Sequence, residues 1–143
     1  MVCLGNICRS PLAEGILQSK LPADKFFVSS AGTANFHTGE KPDYRSIQVA
    51  KNHTIDISSQ RAIHFQSHHF DEFDYIYVMD KSNFADVLAL APNENLAKKV
   101  QLILENNKEV PDPYYGNLSD FEHVFQLLDA QCEKIANDLL KLG

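Results

Sequence analysis

Short apolar runs alternate along this chain with stretches that repeat every three or four residues. Met1 to Leu4 is apolar, Gly5-Asn6 is a turn signal, and Leu12, Ile16 and Leu17 then share one helical face. A second strand is expected at Phe26 to Ser30 and a second helix from Asp43 to His53. Tyr75-Ile76-Tyr77-Val78-Met79 is almost wholly apolar or aromatic, which suits a strand covered on both faces. Asp80 or Ser82 can cap a helix through Phe84, Val87 and Leu88 that stops before Pro92, and Val100 to Leu104 supplies a fourth strand. The last helix is marked by the capping-box spacing of Ser119-Asp120-Phe121-Glu122. Behind it Phe121, Val124, Phe125, Leu128, Cys132, Ile135 and Leu139 form a core stripe. Alternating strands and helices predict a parallel α/β sheet. The first strand is short beside the usual run of about five or six residues. Only Met1 and Val2 precede Cys3, so either the strand is short by nature or the natural chain starts earlier.

The 143 residues suit one domain spanning 1–143, with no internal repeat or linker. A hydrophobic share of 44% is enough for a core and excludes intrinsic disorder. Thirteen Lys plus Arg against nineteen Asp plus Glu give a formal charge of -6, the opposite of a nucleic-acid-binding footprint, so no nucleic-acid partner is expected. No apolar stretch is long enough to span a bilayer, and the first residues lack the basic start of a secretory signal. A cytoplasmic protein with no membrane partner is expected. Cys3, Cys8 and Cys132 are too few and too uneven for a disulfide framework, so reduced thiols are expected.

Cys3-Leu4-Gly5-Asn6-Ile7-Cys8-Arg9-Ser10 ends the first strand and opens the first helix. A loop in that position points successive N–H groups into a concavity at the positive end of the helix dipole, which favours an anion. Gly5 and Asn6 tolerate the left-handed backbone such a nest needs. Arg9 adds a fork of donors suited to phosphate oxygens. The same field favours a thiolate on Cys3, a nucleophile to which Ser10 can donate a hydrogen bond. A bare C-x5-R arises easily by chance; the Gly-Asn pair, the serine after the arginine and the strand-to-helix setting make this one a site. Peroxide would oxidise a Cys3 thiolate first, and Cys8 across the loop can resolve the sulfenic acid as a redox partner; the plain alternative for Cys8 is a small buried side chain.

The best candidate for the complementary proton donor is Asp112, in Glu109-Val110-Pro111-Asp112-Pro113-Tyr114-Tyr115-Gly116. The flanking prolines stiffen the backbone, so a carboxyl can be held at a fixed distance over a pocket. Read alone, the segment is better explained as a turn with aromatic packing. Beside a thiolate it supplies the acid for the leaving oxygen and then a base for water.

Together the two segments resemble the low-molecular-weight protein tyrosine phosphatases. The likeness runs through Val2 to Glu14, Ser30-Ala31-Gly32-Thr33, Gly39 to Ser46, Phe73 to Asn83 and Asp112 to Asp120. It implies a four-stranded parallel sheet with helices on both faces, a phosphate loop of Leu4, Gly5, Asn6, Ile7, Cys8, Arg9 and Ser10, and hydrolysis of protein phosphotyrosine through a phosphocysteine. Neither metal nor other cofactor is implied. On this likeness Cys3 is the nucleophile, Arg9 the phosphate clamp and Asp112 the acid and later base. Asn6, Ser10 and Ser30 brace the loop, and Ile7, Phe36, Tyr114 and Tyr115 wall the substrate ring. Ordinary packing is the alternative for Phe36.

Gln60 departs from the pattern: many members carry histidine there, and glutamine can hydrogen-bond but cannot become charged. His64, His68 and His69 invite a metal, yet no cysteine or spaced carboxylate is seen to complete a set, so solvated histidines are expected. An arsenate reductase would share the loop but needs relay cysteines, and only Cys132 is available. A non-catalytic phosphotyrosine-binding module would need neither Cys3 nor Asp112. A protein-arginine phosphatase would use the same machinery. Against it stands Ile7, where the arginine-specific relatives resemble one another in carrying threonine.

Overall fold

The computed structural model describes residues 1–142. Alternation along its strands decides its layering. Met1 and Cys3 turn into one apolar cluster, while Val2 between them turns into a second on the opposite face of the sheet. The strands are β1 (Val2–Cys3), β2 (Ala31–Gly32), β3 (Ile76–Val78) and β4 (Val100–Leu102), all parallel in the order β2-β1-β3-β4. On the first face lie α1 (Arg9–Lys20), α2 (Tyr44–Asn52) and α6 (Leu118–Leu142), with Leu12, Ile16, Val49, Phe121 and Leu128 in their common core. On the second lie α3 (His69–Glu72), α4 (Lys81–Leu88) and α5 (Glu94–Ala97), where Phe70 and Val87 pack on Val2, Ile76 and Val78. The expected parallel sheet with helices on both faces is therefore present.

The boundaries differ in instructive ways. The segment Phe26 to Ser30, expected as a strand, precedes β2. The Gln18 side chain of α1 takes its backbone groups, donating to Phe26 O at 3.1 Å and accepting from Val28 N at 2.9 Å. Pairing alongside β1 begins at the end of this segment, where the Met1 amino group donates to Ser29 O and Ala31 N donates to Met1 O, both at 2.9 Å. Asp80, not Ser82, caps α4 by accepting from Asn83 N at 2.8 Å. The cap of α6 lies two residues before the expected one. Asn117 Oδ1 accepts from Ser119 N and Asp120 N, and Asp120 returns a carboxylate oxygen to Asn117 N at 2.8 Å. The single turns α3 and α5 are too short to show a helical period and were not expected. No helix among the described residues is long and apolar enough to cross a membrane.

Candidate active site

The loop joining β1 to α1 turns its carbonyls outward. Thr33 N donates to Cys3 O and Ala34 N to Leu4 O, both at 2.9 Å; Asp43 N reaches Ile7 O at 2.8 Å and the Ser46 hydroxyl reaches Cys8 O at 3.1 Å. Among the described residues the N–H groups of Gly5, Asn6, Ile7 and Cys8 meet no acceptor. Such a run of inward donors is an anion nest. Asn6 holds it at a φ of 58°, a left-handed state that asparagine tolerates. Cys8, at the N-cap of α1, supplies no side-chain cap, so the orphan donors of the first turn add to the positive end. Gly32 lets β2 approach: a Cβ there would lie 2.8 Å from Leu4 O and 3.0 Å from the Gly5 carbonyl carbon.

Beneath the nest a buried chain of hydrogen bonds fixes the Cys3 sulfur. Cys3 Sγ and Ser10 Oγ are 3.0 Å apart; Asn6 Nδ2 donates to Ser10 Oγ at 2.8 Å and to Ser30 Oγ at 2.9 Å. The Ser30 hydroxyl donates onward to Glu14 Oε1 at 2.8 Å, and Ile63 N closes the network on Asn6 Oδ1 at 3.0 Å. Since Asn6 donates to the serine oxygen, the Ser10 proton is free to point at sulfur. Burial raises the Glu14 carboxyl above its ordinary value, against the Ser30 hydrogen bond and the amino terminus.

Arg9, only 3% exposed, reaches from α1 to the segment that follows β3 and to the chain that passes beside it. Its Nη1 donates to Asp80 Oδ2 at 2.7 Å and to Val110 O at 3.0 Å, while Nη2 lies 3.8 Å from Asp112 Oδ2. Burial works against the guanidinium charge, but Cys3, Asp80 and Asp112 together hold it above its ordinary range. Asp112, its side chain 47% exposed, accepts from Tyr114 N at 3.1 Å through Oδ1. That leaves Oδ2 on the Arg9 side. The Cys3 sulfur and the run of unpaired N–H groups thus lie at the start of the helix whose Arg9 guanidinium faces the exposed Asp112 carboxyl.

Cys3, Asn6, Ser10 and Ser30 are joined by hydrogen bonds, and Arg9 and Asp112 by an ion pair. Tyr114 and Tyr115 meet edge-to-face at 5.0 Å beside Asp112, and Tyr115 is 97% exposed. Phe36 lies on the exposed loop after β2 and pairs edge-on with His37, not with the tyrosines. Three polar partners were not anticipated: Asp80, Glu14 and Arg45, which holds the Asp112 loop. Asp80 carried a signal, since one side chain can both cap a helix and face an arginine. Gln60 donates to Pro11 O in the first turn of α1 at 3.1 Å, so it ties loop to helix without a charge. One expectation needs correction: Glu72 of α3 supplies the carboxylate missing from the histidine set, and the donor atoms of His68, His69 and Glu72 lie within 4.8 Å of one another. His69 Nδ1, however, already accepts from Gln66 N at 2.9 Å.

Residues 1–142 match the family described as low molecular weight phosphotyrosine protein phosphatase. A relative from Synechocystis sp. is 39% identical over 149 residues, covering 98% of this chain and 94% of its own. The low molecular weight phosphotyrosine protein phosphatase of Saccharomyces cerevisiae is 37% identical over 142 residues, covering 87% and 84%. Among solved structures, Vibrio vulnificus Wzb in complex with benzylphosphonate superposes with a TM-score of 0.88 at 32% identity, covering 96% of this chain and 94% of that one. Sequence likeness along the chain and a shared backbone agree with the geometry of the loop, and the protein belongs to the low molecular weight phosphotyrosine protein phosphatase family, hydrolases of phosphotyrosine.

Proposed function

We propose that residues 1–143 act as one phosphatase domain that hydrolyses phosphotyrosine on proteins, and other aryl phosphate monoesters, through a phosphocysteine at Cys3. The nest N–H groups and Arg9 bind the phosphoryl oxygens and stabilise the charge they carry in the transition state. Cys3 Sγ attacks phosphorus as the aryl oxygen departs, and Asp112 gives that oxygen its proton. Asp112, now a carboxylate, takes a proton from water as the water attacks the phosphocysteine. The thiolate leaves, held by the Ser10 hydroxyl. Ile7, Tyr114, Tyr115 and Phe36 wall the ring.

The observation that carries this reading is geometric: the Asp112 carboxylate lies 3.8 Å from Arg9 Nη2, and the Cys3 sulfur is held 3.0 Å from Ser10 Oγ at the start of the same helix. Its test is a leaving-group series. Asp112→Asn should lower kcat/KM by about 100-fold or more for phenyl phosphate and far less for 4-nitrophenyl phosphate, because an acid matters most when the departing oxygen is basic. A uniform loss would assign Asp112 another task.

Phosphotyrosine is favoured over phosphoarginine by Ile7, which offers apolar surface to a ring and no hydroxyl to a guanidinium. The benzylphosphonate held by Wzb supports an aromatic ester. Comparable kcat/KM on phosphoarginine would overturn this preference, and Ile7→Thr should move the ratio toward phosphoarginine. Arsenate reduction is disfavoured because Cys132 is fully buried in the α6 core stripe, where burial pushes its thiol up to about 12.

A further inference from the structure

We infer that Arg45 is the positioning residue for the general acid, clamping the loop that carries Asp112 to the phosphate loop; this rests on reading Asp112 as the acid. Arg45 lies in the first turn of α2. Its Nε and Nη2 grip Asp43 Oδ1 and Oδ2, each at 2.9 Å, in a bidentate pair. The remaining donors cross to the acid loop, Nη1 to Gly116 O and Nη2 to Tyr114 O, each at 2.9 Å. The guanidinium carbon sits 4.3 Å from the centre of the buried Phe121 ring and 5.8 Å from that of Tyr114. The hydrogen bonds to Asp43 raise the Arg45 guanidinium and lower the Asp43 carboxyl from their ordinary values, so both stay charged across the working range.

The placement of these bonds gives the residue its role. Asp43 N is the donor that holds Ile7 O of the phosphate loop, so one short segment grips both loops. Upstream of Asp112 the chain is held by Val110, whose N donates to Met79 O and whose O accepts from Arg9. Downstream it is held by Arg45. Tyr114 is the hinge of this arrangement: its carbonyl accepts from Arg45 while its N–H orients Asp112 Oδ1. The acid therefore hangs between two arginines, one that binds phosphate and one that does not. Without Arg45 the Tyr114 carbonyl is released, and with it the N–H that aims Asp112. Displacing an acid by about 1 Å can cost up to about 100-fold in rate.

A lysine substitutes only in part, because a single ammonium lacks the planar fork needed to bridge a carboxylate and two carbonyls. Arg45→Met keeps the apolar stem on Phe121 and removes every donor. It should lower kcat/KM for phenyl phosphate by about tenfold and for 4-nitrophenyl phosphate by less than about threefold. In an Asp112→Asn background the same substitution should change neither. Arg45→Lys should give the same leaving-group dependence at smaller amplitude, and it retains the charge beside Asp43 should the methionine variant fold poorly. Equal losses on both esters, or a loss that adds to that of Asp112→Asn, would overturn the inference and leave Arg45 a structural residue. A parent protein that turns over neither ester would instead overturn the phosphatase reading itself.

Discussion

Arg9 Nη1 and Asp80 Oδ2 are 2.7 Å apart although 71 residues separate them in the chain. Asp80 spends its other oxygen on Asn83 N, so one carboxylate both starts α4 and holds the guanidinium. The two tasks separate by substitution. Asp80→Ser keeps a good helix cap and is too short to reach Arg9. It should weaken inhibition by inorganic phosphate by about tenfold, the cost of about one charge-assisted hydrogen bond. Asp80→Ala should lose the cap as well, at about 1 kcal/mol of stability. Unchanged phosphate inhibition in the serine variant would show that Arg9 is aimed by its other partners.

Glu14 makes stability depend on pH. Burial raises its folded value above the ordinary 4.5, so in the window above pH 4.5 the folded chain holds a proton that the unfolded chain has released. The contribution is complete below 4.5 and is lost as pH rises through the raised folded value. Glu14→Gln still accepts from Ser30 and cannot titrate. Unfolding measured from pH 4 to 7 should show the parent losing stability relative to Glu14→Gln as pH rises. Parallel curves would contradict the shift.

Cys8 should act as the resolving thiol when the enzyme meets peroxide. Cys3 thiolate plus peroxide gives a sulfenic acid and hydroxide; Cys8 thiol plus that sulfenic acid gives a disulfide and water. Burial, with help from Asp43, holds the Cys8 thiol far above its ordinary value, so resolution should quicken as pH rises. Mass spectrometry of peroxide-treated protein should find a Cys3-Cys8 link and a thiol reductant should restore activity, whereas Cys8→Ser should inactivate irreversibly. An unlinked Cys3 in the parent would leave Cys8 as core packing.

The contiguous parts of the site were legible because their chemistry is local. Cys3 to Ser10 lies in one loop, and Asp112 is framed by Pro111 and Pro113, so residue types at fixed offsets carried the meaning. Asp80, Glu14 and Arg45 were illegible because each acts across the fold, through bonds that only the packed sheet and helices bring within reach. Phe26 to Ser30 reads as a strand by composition, but the Gln18 side chain takes Phe26 O and Val28 N, and only its last part meets the first strand, through Ser29 O and Met1 N. The α6 cap shifted because Asn117 and Asp120 form the same box as Ser119 and Glu122 could, two residues earlier and ahead of Leu118.

In the proposed reaction Cys3 carries the phosphoryl group. Rapid mixing with 4-nitrophenyl phosphate, acid quenching within milliseconds and peptide mass spectrometry test it most directly. A phosphoryl adduct should appear on the Cys3 peptide in the first turnover and build up further in Asp112→Asn, where water is no longer activated. Cys3→Ser should give neither adduct nor turnover while still binding inorganic phosphate through the nest and Arg9. An adduct on another residue, or turnover by Cys3→Ser at the parent rate, would contradict it.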